Sequence, residues 1–253
     1  MKKVLQILNI LGFLAVVAVN ALAVLLPINN RTTEQLSDMY PNLFVPAGIT
    51  FSIWGVINIL LLLFTLYQSS DLLGGKADRT GFVDKAGLAY FLTSILNIGW
   101  ILAWHYEMVL LSVLIMLGLL ASLIVLYLRI GSSSASFFEK LFSSYPISVY
   151  LGWISVATIA NITAYLVNIG WEGFGISPET WTYVMMGAAM LLALLMRLLK
   201  DDIPYCLVIV WALAGIAIKR LGTEPQYTGI AYTAIAMAAV VVVSFLFRPQ
   251  KKA

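Results

Sequence analysis

Eight apolar runs, each of roughly twenty residues, follow one another along the chain and are separated by short polar breaks. A helical run of this length matches the roughly 30 Å hydrocarbon core of a bilayer. The pattern therefore predicts an all-α integral membrane protein with eight transmembrane helices. The predicted spans are residues 4–26, 47–67, 86–104, 108–130, 147–169, 180–198, 204–219 and 227–247.

The composition supports a multi-pass membrane protein, since 61% of the residues are hydrophobic, 11% are charged and the mean hydropathy is +0.95. The chain opens with "MKK", an apolar run and "ALA" at 21–23, which resembles a cleaved secretory signal. That apolar run is longer than the core of a typical signal peptide. We therefore expect it to stay in place as the first transmembrane helix.

The distribution of Lys and Arg predicts the orientation, because cytoplasmic loops carry an excess of these residues. Eight helices place both termini on one side of the membrane. If that side is the cytoplasm, 12 of the 15 cations lie in inner segments and 3, namely Arg31, Lys219 and Arg220, lie outside. We therefore predict cytoplasmic termini and an integral, multi-pass protein of a bacterial plasma membrane.

The net charge and the missing sequence motifs exclude several kinds of binding site and enzyme. A net charge of +3 is accounted for by insertion and by attraction to anionic membrane lipids, and it does not indicate nucleic-acid binding. Cys206 is the single cysteine, so an intramolecular disulfide is excluded. The "GGK" at 74–76 lacks the spacing of a phosphate-binding loop, and G-x-S-x-G, HExxH and GxGxxG do not occur. We predict no metal site and no catalytic residue from these patterns.

Hydrogen-bonding side chains recur within the fifth predicted span, where hydrocarbon cannot satisfy them. Five of them, together with Ala157, are separated by 3, 4, 4, 4 and 3 residues, which places them on one face of a helix. Such a face should point into the bundle or toward a cavity. The stripe consists of Tyr150, Trp153, Ala157, Asn161, Tyr165 and Asn168.

Two other spans show the same pairing of tryptophan and asparagine. Trp54 and Asn58 lie four residues apart in the second span, and Asn97 and Trp100 lie three apart in the third. Singly, such residues often join helices or mark the membrane interface. Because three spans repeat the pairing, we favour a shared, partly polar pocket. The segment 27–46 could cross the mouth of this pocket as a lid, or it could be a solvated connector.

The second, third and fifth spans resemble those of the tryptophan-rich sensory protein or translocator protein family (TspO/MBR). The resemblance rests on "VPAGITFSIWGVINILL" before and in the second span, "LNIGW" in the third, and "YLGWISVATIANITAYLVN" in the fifth. It implies a five-helix bundle that binds flat hydrophobic ligands, in a pocket lined by helices 1, 2 and 5 with the first loop above. Its implied ligand-binding residues here are Trp54, Asn97, Trp100, Tyr150, Trp153, Ala157 and Asn161, and we add Asn58 from its pairing with Trp54.

The chain departs from that family in two ways. Asn58 and Tyr165 replace the usual tyrosine and tryptophan, and only Pro46 remains of a proline pair before the second span. Three further helices also follow the five-helix unit. We therefore predict a TspO-like bundle at residues 1–170 and a three-helix extension at residues 171–253.

We expect a membrane protein that binds a tetrapyrrole-, sterol- or isoprenoid-like molecule and acts as a sensor or transporter. No cofactor is required, although a porphyrin or haem-like ligand is a candidate, as is a homodimer. One alternative is a membrane enzyme acting on a lipid or pigment, for which His105 and Glu107 in "AWHYEM" are the acid–base candidates, although an ordinary interfacial turn also explains them. Another is a structural or assembly role for the last three helices.

Overall fold

The computed structural model describes residues 2–26, 28–72, 74–75, 80–131 and 136–247. Eight helices in these ranges are long and apolar enough to cross a membrane, which confirms the predicted all-α membrane class. The orientation of the termini stays a prediction. The helices are α1 Lys2–Leu25, α2 Ile53–Gln68, α3 Thr80–His105, α4 Val109–Ile130, α5 Ser144–Asn168, α6 Pro178–Lys200, α7 Ile203–Gly222 and α8 Thr228–Val243.

Most boundaries follow from local chemistry. Ser177 caps α6 by accepting a hydrogen bond from the Thr180 amide, and Pro178 takes the first helical position, where no amide hydrogen is needed. α3 begins at Thr80, ahead of the predicted start at residue 86. The backbone breaks its helical course at Gly87, with φ 49° and ψ −147°, which glycine tolerates because it has no side chain. The apolar pattern therefore marked only the part of α3 beyond this break.

The first five helices form a closed ring. Each packs on two neighbours in the order α1, α3, α4, α5, α2 and back to α1. α5 is the most enclosed helix, with 67% of its apolar window buried, whereas the corresponding value for α6 is 28%. The polar stripe therefore lies on the helix that is best shielded from lipid.

The last three helices pack on one another and reach the ring mainly through α7, which lies along α5. Gly152 of α5 allows this approach, since a Cβ there would come within 3.1 Å of Val208. Tyr205 of α7 also donates a hydrogen bond to Ser155 of α5 at 2.9 Å. The N-cap residue of α7 is the buried Asp202, whose carboxylate accepts hydrogen bonds from Tyr127 of α4 and Ser148 of α5.

The segment between α1 and α2 lies over one end of the ring. Its described residues 28–46, here called the lid, include a 3₁₀ turn at Ile28–Asn30 and a short helix at Thr33–Asp38. Thr32 and Gln35 form a capping box at the start of that helix. Leu36 and Phe44 are completely buried, which a solvated connector would not require. The lid interpretation of this segment is therefore the one that the structure supports.

Candidate functional site

A cavity of about 540 Å³, including its open mouth, lies beneath the lid. Its walls are mostly apolar, as is usual for a small-molecule site. The walls come from the lid, the 3₁₀ turn at Gly48–Ser52, α2, α3 and α5. The lining residues are Thr33, Ser37, Pro46, Phe51, Trp54, Trp100, Trp104, Trp153, Val156, Ala157, Ala160 and Asn161.

Four of the seven tryptophans line this cavity. Trp54 stacks on Trp100 with ring centroids 6.2 Å apart and planes 27° apart, and Trp100 stacks on Trp104 at 6.3 Å and 13°. Trp153 meets Trp54 edge to face at 6.4 Å. Indole faces offer large apolar contact surfaces to flat molecules. The cavity is therefore suited to a planar hydrophobic ligand.

Asn161 holds one of these indoles in place. Its Oδ1 accepts a hydrogen bond from Trp100 Nε1 at 3.0 Å, and its Nδ2 donates to Ser112 Oγ at 2.9 Å. The side chain is 4% exposed. Because both ends of the amide are bonded to protein, Asn161 orients Trp100 and secures α4 to α5.

Trp153 presents the opposite situation. Its side chain is 4% exposed and lines the cavity, yet its Nε1 has no hydrogen-bond partner among the described residues. An unpaired buried donor costs about 1–3 kcal/mol. A water molecule or an acceptor atom of a ligand would remove this cost.

Three predicted site residues lie one helical turn farther from the lid than the pocket tryptophans. Asn97 donates to Tyr150 Oη at 3.0 Å and accepts from Asn20 at 2.9 Å. Asn58 is partly buried, and its Oδ1 has no partner among the described residues. None of the three is part of the cavity lining. They form a polar layer, consisting of Asn58, Asn97 and Tyr150, beneath the pocket.

The remaining predicted residues Trp54, Trp100, Trp153, Ala157 and Asn161 do line the cavity. The expectation that α1 would form one wall was wrong, because α3 takes that place with Trp100 and Trp104. α1 instead directs Asn20 to the polar layer. At the other end of the stripe, Asn168 is exposed because it is the last residue of α5.

Sequence reasoning missed several lining residues. Thr33 and Ser37 come from the short lid helix, and Phe51 comes from the turn before α2. Phe51 meets Trp153 edge to face at 6.0 Å. The capping box at Thr32 was the available signal for a lid helix, but no spacing rule connects that helix to α5.

The lid is joined to the turn between α3 and α4. Arg31 forms an ion pair with Glu107 at 2.6 Å, and Asn29 donates to the His105 carbonyl at 3.0 Å. Tyr40 packs on Trp104 at 5.6 Å, and burial raises the pKa of its phenol, as does the nearby Glu107 carboxylate. His105 and Glu107 do not line the cavity. Their observed contacts hold the lid in place.

A sequence model of the TSPO-like protein family matches residues 6–247. The chain belongs to this family. The matched range spans all eight helices, so the three C-terminal helices lie within the family match. The stretches that first suggested TspO membership lie in or directly before α2, α3 and α5, which supply most of the lining. Neither the search of curated proteins nor the search of solved structures found a match.

The contacts of Asn161 lead to a stability prediction. Asn161→Leu should lower the free energy of unfolding by about 1 kcal/mol, because Trp100 Nε1 and Ser112 lose their partner inside the membrane. Ligand affinity should fall as well, since Trp100 is no longer oriented. Denaturant titration in mixed micelles measures the stability. Asn168→Leu, at the exposed end of α5, is the matched control, and an equal loss in both variants would contradict the assigned role of Asn161.

Proposed function

We propose that this TSPO-like membrane protein binds a flat hydrophobic small molecule beneath the lid and acts as a sensor or transporter. The observation that carries the proposal is the group of four tryptophans around one cavity. Clusters of this kind provide stacking surface for a conjugated or fused-ring molecule. The lid covers the cavity at one end of the five-helix ring.

The lining also indicates the chemistry of the ligand. It contains no charged side chain, so the buried part of the ligand would be neutral. The unpaired Nε1 of Trp153 would donate to an acceptor such as a carbonyl oxygen. Carboxylates of a tetrapyrrole would have to remain at the mouth. Tetrapyrrole-, sterol- and isoprenoid-like molecules remain the candidate classes.

A haem-like ligand fits this cavity less completely than a metal-free one. The lining offers indole faces for the macrocycle, but it includes no His, Cys or Met that could bind the iron. Any haem in this site would be held by stacking and by contacts at its edge. A porphyrin without metal, or a conjugated isoprenoid, would leave no coordination position unfilled.

The polar layer beneath the cavity favours capture over passage. Asn97 is bonded to both Asn20 and Tyr150 one helical turn below the tryptophans. A ligand that enters beneath the lid would therefore meet this hydrogen-bonded layer and leave by the same route. This arrangement suits a sensor or carrier that takes up and releases its ligand on one side.

Tryptophan fluorescence tests the proposal. Titration with protoporphyrin IX or retinal should show saturable quenching of the tryptophan fluorescence, or titration with cholesterol a saturable change in its emission. Trp153→Leu should weaken, by about tenfold, the binding of the ligand that gives this signal, equivalent to roughly 1.4 kcal/mol. The variant loses one stacking surface and the unpaired Nε1 donor. Trp181→Leu is the control, since Trp181 bonds to Gly173 on the outer loop away from the cavity. Equal effects of both variants would refute the proposed site.

A further inference from the structure

One face of α7 is built to hold the outer wall of the pocket. Trp211, Gly215 and Lys219 follow one another at intervals of four residues, so they lie on one stripe of the helix. Each contacts the chain between residues 38 and 50. We call these three residues the α7 stripe.

Two residues of the α7 stripe, Trp211 and Gly215, hold residues 46–52 in position. We call residues 46–52 the wall segment. Trp211 Nε1 donates to the Thr50 carbonyl at 2.9 Å, and the Ala47 amide donates to the Gly215 carbonyl at 2.9 Å. Thr50 lies so close to Gly215 that a Cβ on this glycine would come within 2.0 Å of Thr50 Oγ1. Pro46 and Phe51 of the same segment line the cavity. α7 therefore supports a wall of the pocket without lining it.

The third member reaches the lid itself. Lys219 forms an ion pair with Asp38, the last residue of the lid helix. At the other side of the lid, Arg31 pairs with Glu107 of the α3–α4 turn. The lid is thus held by one ion pair to the five-helix ring and by another to the three-helix unit.

These ion pairs are weak enough for the lid to open and close reversibly. The Asp38 side chain is 51% exposed and that of Lys219 is 19% exposed. Ion pairs with this degree of solvent contact contribute about 0.2–1 kcal/mol and weaken as salt increases. A contact of this strength can open thermally, whereas the backbone hydrogen bonds and close packing at Gly215 keep the wall in position.

We propose that α7 controls access to the pocket, with the Lys219–Asp38 pair acting as the latch of the lid. Opening would break this pair while Trp211 and Gly215 retain the wall. Anything that shifts the three-helix unit would then change the rate at which the pocket opens. The biological meaning of this control rests on the proposed ligand-binding function, but access to the pocket can be measured without a ligand.

A cysteine placed in the pocket provides that measurement. Cys206 is fully buried and would be replaced by alanine, and Ala157→Cys would be labelled with N-ethylmaleimide in detergent. Lys219→Asp and Asp38→Lys should each speed labelling by about threefold, because like charges now face each other. The double variant Asp38→Lys with Lys219→Asp should return the rate to that of the parent.

Two comparisons make the result specific. Lys200→Asp introduces the same charge change at the exposed inner end of α6 and should leave the rate unaltered. High salt should reduce the difference in labelling rate between the parent and the single variants, because it screens both the attraction in the parent and the repulsion in the variants. Equal labelling rates in the parent, both single variants and the swap would overturn the latch. Failure of every ligand to bind, with the labelling pattern intact, would instead refute only the proposed function.

Discussion

Ala157→Phe is expected to weaken binding of any ligand identified by fluorescence titration by at least about a hundredfold, which corresponds to roughly 2.7 kcal/mol. Ala157 lies on the pocket face of α5, between Trp153 and Asn161 along the stripe. A phenyl ring attached there would occupy the space in which a flat ligand would stack. The protein should still fold, because the added atoms enter an existing cavity.

The control for this variant is Ala121→Phe, on the same five-helix ring. Ala121 is exposed on α4, where the added ring would contact lipid or detergent. Thermal unfolding should show both variants close to the parent. If Ala157→Phe binds the ligand as tightly as Ala121→Phe, the cavity beneath the lid is not the binding site.

The sequence was informative wherever helix geometry alone decides which side chains share a face. The stripe on α5 could be read from spacing, and Tyr150, Trp153 and Asn161 are indeed buried. The repeated pairing of Trp with Asn also identified α2 and α3, whose Trp54 and Trp100 line the cavity together with α5. Helical spacing could not show how far each of these side chains lies from the lid. The tryptophans form the pocket, whereas Asn58, Asn97 and Tyr150 lie one turn below it.

Contacts between distant segments were beyond the reach of the sequence. Helical periodicity describes one element at a time, so it could not assign Trp104 of α3 to the lining or place Thr33 of the lid above α5. The same limit applies to the last three helices. Their composition suggested an appended unit, yet Trp211 and Gly215 bond directly to the wall segment. Nothing in the α7 sequence alone indicates this partner.

The division of the chain into residues 1–170 and 171–253 stays a prediction. The two parts are not independent of each other, because the pocket is formed by the first part and one of its walls is held by α7 of the second. Removing the C-terminal helices would therefore expose the Thr50 carbonyl and the Ala47 amide and also remove one of the two ion pairs of the lid. A point substitution in α7 separates these effects more cleanly than a deletion.

Gly215→Ala is expected to lower the free energy of unfolding by about 1–3 kcal/mol, the usual cost of overpacking a close contact. The new Cβ would come within 2.0 Å of Thr50 Oγ1 and 2.9 Å of Thr50 Cβ, so α7 and the wall segment must move apart. The hydrogen bond from the Ala47 amide to Gly215 would then lengthen. Labelling of Ala157→Cys should speed up, and denaturant titration measures the stability.

Gly187→Ala is the matched control, because Gly187 lies in α6 and nothing would lie within 4 Å of its new Cβ. This variant should be unchanged or slightly more stable, since alanine is the better helix former. Adding Thr50→Ala to Gly215→Ala removes the nearest atom and should recover part of the lost stability. Thr50 Oγ1 has no hydrogen-bond partner among the described residues, so its removal leaves no polar group unpaired. If Gly215→Ala behaves like Gly187→Ala in both assays, close packing at Gly215 does not hold the wall, and the support of the pocket by α7 would have to come from Trp211 alone.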